Sequence, residues 1–372
     1  MKPIARIALL LLLLAPGRAS AQIVLGGQSS VQFLRSAPTE SERVLNGGRP
    51  TFGFWGYLFV DGYVNDHVAG LMNLRLSDNG TIALDYLAIR LSRLTSLELN
   101  LQAGKFDLPF GNLGERRFPR NNPLFSLPII YEYRTTLPDH VPTETDLLAN
   151  RGRGSGMRLL DDAMYDLGAE VFGSAGPVDY AVEMSNGTVS STSYYTENQN
   201  NDFGKLLRLA VTPFTGLTVG GAYTWGAYLE QGGQPSTRSI DINAYRQKAA
   251  EVDIAFSRGH AVFNGEGVIS TWPVPFDAGD QNLTALGFSL EGKMTLIPRL
   301  YAALRMSGLH FGNAVFQDTT QPWDYDVTEW EGGIGWFLER DVLVKLVRRE
   351  TRIHGGSYPK DNLTVVQLVV AY

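Results

Sequence analysis

The chain has no cysteine among its 372 residues. That absence excludes disulfides, thiolate metal sites, a cysteine nucleophile and a lipid-modified N-terminal cysteine. Stability must therefore come from burial and backbone pairing. Long apolar runs are almost absent too: apart from residues 7–15 nothing approaches the roughly 20 apolar residues a membrane-spanning helix needs. Positive charge is in deficit, with 32 basic against 38 acidic side chains, which speaks against a nucleic-acid partner. Disorder is excluded by the opposite observation, since 44% of the residues are hydrophobic and 11% aromatic.

The one apolar run follows Lys2 and Arg6 and ends in Ala19-Ser20-Ala21, the small-x-small pattern of a secretory signal peptide over residues 1–21. The mature chain then begins at Gln22 and is more acidic still, because the leader carries three basic residues and no acid. Glycine is plentiful at 40 residues, which fits one strand-rich body better than several ordinary domains.

From Thr51 onward apolar and polar residues alternate over stretches of about ten positions, the period of strands with two unlike faces. Between 96 and 106, Leu97, Leu99, Leu101 and Ala103 take one face and Glu98, Asn100 and Gln102 the other. Connections alternate as well. Short ones fall at 93–95, 175–177, 213–216, 258–260, 297–299 and 340–341; long polar ones fall at 107–155, 187–202, 230–246, 273–281, 312–324 and 354–361. Tight turns at one end and large loops at the other are the signature of transmembrane β-barrels. Counting directions from the turns makes the last strand, 362–372, run toward the periplasm. Its apolar face, Val366, Leu368, Val370 and Tyr372, has the form of the C-terminal signal read by the barrel-assembly machinery.

These patterns predict an all-β, antiparallel, up-and-down transmembrane barrel over residues 51–372. Fourteen strands is the preferred count and sixteen the alternative, if 70–76 and a piece near Val31 also pair. Residues 22–50 are read as a periplasmic extension with a brief helix at 30–35. The long loop, 107–155, follows the third strand of the fourteen and either folds inward or caps the barrel. Trp225, Tyr223, Trp272, Trp330, Trp336 and Tyr372 lie near strand ends, as an interfacial aromatic girdle requires.

Gly104-Lys105-Phe106-Asp107-Leu108-Pro109-Phe110-Gly111 resembles the G-[KQ]-F-x-x-P-F segment of the phosphate-selective porin O and P family. Val178-Asp179-Tyr180-Ala181 leading to Ser185-Asn186-Gly187, and Asp202-Phe203-Gly204-Lys205 running to Pro213 and on to Gly216-Leu217-Thr218-Val219-Gly220-Gly221, resemble two further segments of it. The resemblance covers roughly 97–226. It implies an outer-membrane porin whose long loop narrows the channel, and phosphate selectivity through a luminal ladder of lysine and arginine.

The ladder is where this sequence departs. Placing each polar face inward gives basic Arg90, Arg208, Lys293, Arg305, Lys345 and Arg349, against acidic Glu98, Glu170, Asp179, Glu183, Glu251, Asp253, Glu266, Glu291, Glu329 and Glu331, with Asn100 beside them. Acidic rings favour cations, so the wall predicts neutral or mildly cation-preferring passage. The long loop opposes this with Arg116, Arg117, Arg120, Arg134, Arg151 and Arg153, candidates for a basic constriction where low-dielectric walls focus the field. Their bland alternative is solvation, pairing with loop acids, or binding of lipopolysaccharide phosphates.

Catalysis has little support. Asp139-His140 is the one adjacent acid–imidazole pair, but sequence neighbours point different ways and no serine motif stands beside it. His67, His140, His260, His310 and His354 have no metal-site spacing, and Gly152, Gly154 and Gly156 lack the Lys-Ser/Thr of a phosphate loop. The sequence therefore predicts a channel for passive diffusion of small hydrophilic solutes in a bacterial outer membrane, reached after export to the periplasm. No cofactor and no metal are expected, the surroundings are bilayer lipid and lipopolysaccharide, and a homotrimer is an assembly option. A binding or scaffold barrel with a loop-closed lumen is the alternative, and a barrel hydrolase the remote one.

Overall fold

The structure, a computed structural model, describes residues 22–36, 49–77, 80–95, 98–161, 164–191, 200–230, 239–355 and 360–372. The expected leader at 1–21 and Leu97 of the alternating stretch lie outside them.

Among the described residues sixteen antiparallel strands close into a barrel. In chain order they begin with β1 (Gln22–Ser36), β2 (Thr51–Tyr63), β3 (Val68–Ser77), β4 (Ile82–Leu91) and β5 (Asn100–Asp107). After the long loop come β6 (Tyr165–Ala175), β7 (Val178–Ser185), β8 (Gly204–Phe214), β9 (Leu217–Ala227) and β10 (Arg246–Arg258). The longest strands, β11 (Ala261–Phe276) and β12 (Gly279–Ile297), lead to β13 (Leu300–Phe311). A separate small hairpin, β14 (Asn313–Phe316) with β15 (Thr319–Pro322), precedes the closing strands β16 (Val327–Glu339), β17 (Val342–Ile353) and β18 (Leu363–Ala371).

The count of sixteen corrects the preferred fourteen, and the two added strands are β1 and β3. β1 is neither an extension nor a helix: it pairs with β2 on one side and with β18 on the other, Val31 opposite Leu368 and Phe33 opposite Val366. The barrel therefore includes residues 22–36 and does not start at Thr51. Its outer face, Val31 and Phe33, is apolar and exposed, while Gln28, Ser30 and Gln32 are buried inside. That polar inner face gives the segment the composition of a tail. Closure removes every open edge, which a bilayer demands because hydrocarbon satisfies no unpaired backbone group.

The predicted short turns all lie at one end, together with Tyr372, whose backbone exchanges hydrogen bonds with Gly27. The connection expected at 273–281 is absent. β11 and β12 instead continue past their neighbours and join through Asp277-Ala278, with Pro273 and Pro275 inside β11. Prolines that signal loops in a central strand are tolerated in such a protruding ribbon.

Outer faces carry the apolar half of the alternation, for instance Leu286, Leu290, Leu304 and Leu346, all exposed. Inner faces on the same strands carry Glu291, Arg305 and Lys345, all buried. A cation moved to the lipid face would cost roughly 2–4 kcal/mol at the midplane, which explains this sorting. Tyr223, Trp330, Trp336 and Tyr372 are exposed as a girdle requires, and Val366, Leu368 and Val370 also face outward. Trp272 is the exception: it is buried and meets Trp323 edge to face at 5.9 Å.

The long loop follows β5, the fifth strand rather than the third, and runs to Met164. It contains a single turn at Gly114–Arg117 and helices Ile129–Glu132 and Glu144–Ala149, the second capped by the Thr143 hydroxyl on the Asp146 amide. Ile129, Ile130 and Tyr131 are fully buried. They belong to one apolar cluster with inward-facing Val268, Leu283, Ala285, Leu309 and Phe311.

Candidate functional site

The strongest feature of the interior is how the wall from β8 to β17 holds the loop. Lys345 donates its ammonium protons to the carbonyls of Pro119 (3.0 Å), Asn122 (3.2 Å) and Leu124 (2.6 Å). Arg305 donates to the carbonyls of Ser126 (2.8 Å) and Leu127 (3.0 Å), and is itself paired with Glu291 and Glu331. Glu331 accepts the amides of Phe125 and Ser126. Glu291 pairs with both Arg305 (3.2 Å) and the loop's Arg116 (3.0 Å). Arg349 binds the Ser126 hydroxyl and Asp361, with Glu329 and Glu132 near it. Buried charges persist only when paired and hydrogen-bonded, and here the pairing partner is often the loop backbone.

A second set sits one strand group earlier. Arg208 pairs with Glu251 (3.3 Å) and Asp253 (2.6 Å), and Tyr131 donates its hydroxyl to Glu266 at 2.6 Å. Gly111 makes that bond reachable: its φ is +74°, and a Cβ there would lie 2.2 Å from Glu266 Oε1 and 2.4 Å from Tyr131 Oη. Gly104, in the motif that launches the loop, has φ +132° and approaches the β4 backbone, where a Cβ would sit 2.3 Å from the Leu87 carbonyl oxygen.

On the opposite side, from β1 to β6, lie two cavities, the inner of them between wall and loop. The inner one, about 420 Å³, lies between inward groups of β2 to β4, among them Phe59, Asp61 and Asn73, and the loop's Gly114, Arg117, Phe118 and Asn121. The second, about 970 Å³, opens at the short-turn end among Asn65, Arg93, Glu98 and Asn100. Tyr63 and Arg90 line both.

The structure divides the predicted site residues between these two sides. Glu183, Arg208, Glu251, Asp253, Glu266, Glu291, Arg305, Glu329, Glu331 and Lys345 are inward and buried or half-buried, Lys293 is half-buried with its ammonium 4.7 Å from the Tyr301 ring centre, and most of them bind loop groups or one another. Arg90 and Asn100 stand beside the cavities. Glu98 is displaced: it lies in the tight turn before β5 with φ +48°, not on a strand.

The arginine constriction breaks up. Arg116 is spent on Glu291 and Asn112. Arg117 faces the inner cavity, 3.6 Å from Asp107 and stacked 4.7 Å over Tyr165. Arg120 reaches the short-turn end, where it meets Asp341 and the Arg340 carbonyl and lies over Phe337. Arg134 bonds the Gly156 carbonyl within the loop, Arg151 binds Gln321 and the Pro322 carbonyl beside Tyr325, and Arg153 is exposed. Sequence order places these six together, whereas the loop spreads them over the length of the barrel. The aromatic lining escapes the sequence reading, although the run at 52–63 carries the signal: Tyr57 and Phe59 stack, and Phe118 packs edge-on to both at 5.2 Å.

Asp139 and His140, expected to diverge, touch: Oδ1 and Nδ1 are 3.0 Å apart at an outer cavity of about 330 Å³ that Ser155 also lines. Among the described residues no hydroxyl is bonded to that imidazole, and no group of three or more His, Asp or Glu side chains is arranged to hold a metal.

No protein-family model matches the chain, and no curated protein sequence matches it. Solved structures do. An anion-selective porin from Comamonas acidovorans superposes with a TM-score of 0.63 at 8% identity, covering 95% of this chain and 100% of its own. OmpF of Salmonella typhi, in complex with daunomycin, gives 0.60 at 10% identity, covering 96% and 99%. The trimer form of OmpT, an outer membrane protein of Vibrio cholerae, gives 0.57 at 11% identity, covering 95% and 99%. At such identities the likeness establishes the fold alone: this chain has the architecture of a sixteen-stranded porin barrel.

Proposed function

We propose that the protein is an outer-membrane channel for passive diffusion of small hydrophilic solutes, and that its passage runs along the β1–β6 side, between wall and loop. The observation that carries this reading is the pair of cavities that share Tyr63 and Arg90 in their lining. On the other side, the described residues of the wall hold the docked loop. A leader for export, the outward C-terminal face for assembly and the lipid-exposed girdle all agree with that location. A homotrimer fits as well, since one solved structure of this fold is described as a trimer.

Selectivity is set by what remains unpaired, not by the total on the wall. The acids of β10 to β16 are engaged with arginines or with the loop, so they cannot act as a cation ring. Along the passage stand Asp61, Asp66, Glu98, Asp107 and Glu115 against Arg90, Arg93 and Arg117. This favours weak selectivity and argues against a phosphate trap, even though the 104–111 segment resembles that of the phosphate-selective porins.

Planar bilayers containing the folded protein are expected to show discrete conductance steps, with a small reversal potential across a salt gradient. Replacing Arg117 by Ala is expected to move selectivity toward cations, and replacing Arg120 to leave it unchanged. A persistently sealed membrane with folded protein would overturn the channel reading in favour of a closed binding barrel.

A further inference from the structure

Arg90 differs from Arg208, Arg305 and Arg349 in having only neutral partners. Its Nε and Nη2 donate to Gln102 Oε1 at 3.2 and 3.0 Å, Nη2 also donates to the Tyr86 hydroxyl at 3.0 Å, and the guanidinium lies 5.4 Å over Phe172. These bonds fix the group while leaving Nη1 without a bond and its charge without a carboxylate within 4.0 Å among the described residues. Such an arginine is preorganised for an anionic group, because the entropy of holding it is already spent.

Asp61 lines the same inner cavity, half-buried, with no cation within 4.0 Å among the described residues. Arg90 lines the same cavity, yet the two are not paired. The other charges there are accounted for: Asp107 lies beside Arg117, Glu170 is buried and accepts from the amide of the same Gln102 that holds Arg90, and Glu115 is exposed, accepting from Asn121. A simple anion entering toward Arg90 meets Asp61, and a simple cation entering toward Asp61 meets Arg90. Phe59, Tyr86 and Phe118 add apolar ring surface, and the cavity's size of about 420 Å³ suits a small molecule.

We propose that this cavity is a binding site for a small zwitterion with an apolar body, the chemistry of an aromatic α-amino acid, with its carboxylate on Arg90 and its ammonium on Asp61. The proposal rests on the channel reading and names the solute class the passage retains. The test compares block of single-channel current by phenylalanine, 3-phenylpropionate and phenethylamine, alongside titration calorimetry of the detergent-solubilised protein with the same probes. Phenylalanine is expected to bind about tenfold more tightly than either singly charged probe, the difference a charge-assisted hydrogen bond supplies. Arg90→Gln and Asp61→Asn should each erase that advantage. Equal affinity for the probes in a conducting wild-type channel, or an advantage that survives Arg90→Gln, overturns the site. Calorimetric binding without any current sustains the site and sinks the channel reading instead.

Discussion

Single residues decide how firmly the loop sits. Gly111 occupies a left-handed conformation that costs an L-residue roughly 1–2 kcal/mol, and its missing Cβ leaves room for the Tyr131–Glu266 bond. Gly114 shares the positive φ, but no atom lies within 4 Å of where its Cβ would stand, so it isolates the backbone cost. Gly111→Ala is therefore expected to lower the thermal midpoint of the folded barrel more than Gly114→Ala. Equal shifts would show that the loop does not depend on that contact. The role of Gly111 is not legible in the sequence, because the steric conflict involves Glu266, far along the chain. The inward acids and bases are legible, since strand period alone assigns their face. Their partners are not: which carbonyl Lys345 binds depends on how the loop folds across the lumen.

At the scale of elements, the strands from β4 onward can be read from alternation and turn spacing, and their direction from the alternation of short and long connections. β1 escapes because glycine, serine and glutamine dilute its pattern, and β3 because Leu71, Leu74 and Leu76 straddle a register shift with β4 at Asn73 and Leu74. The loop's outer half is held by Asp324, which accepts the amides of Thr136, Gly152 and Tyr325. Burial pushes this carboxyl up to about 7, against the pull of those amide bonds. A native value above the ordinary 3.8 means that the folded loop binds more protons than the unfolded one between those limits. Asp324's contribution is thus fully present below 3.8 and is lost as pH rises through about 7. Opening free energies of residues 133–152, taken from hydrogen exchange corrected for intrinsic rates, are expected to fall across that window. Asp324→Asn should flatten the slope, and an unchanged slope would assign the pH dependence elsewhere.

For the whole molecule, the balance of charge changes meaning once the loop is in place. Summed over strands, the inner wall is acidic; distributed in space, most of those acids lie beneath the loop and the passage keeps few charges of either sign. The residue pattern shows a barrel with a wet inside and an apolar outside, but not which part of the wet side stays open. That last property depends on contacts between residues some 200 positions apart, such as Phe125 with Glu331 or Pro119 with Lys345, which no local pattern encodes. The absence of cysteine supplies the means to test it, because any introduced thiol is unique. The most direct measurement is the change in single-channel conductance when a charged, water-soluble thiol reagent is added to Leu71→Cys, beside the inner cavity, and to Ser270→Cys, on the buried β11 wall. The account predicts a fall in conductance for Leu71→Cys and none for Ser270→Cys; the reverse pattern would contradict it.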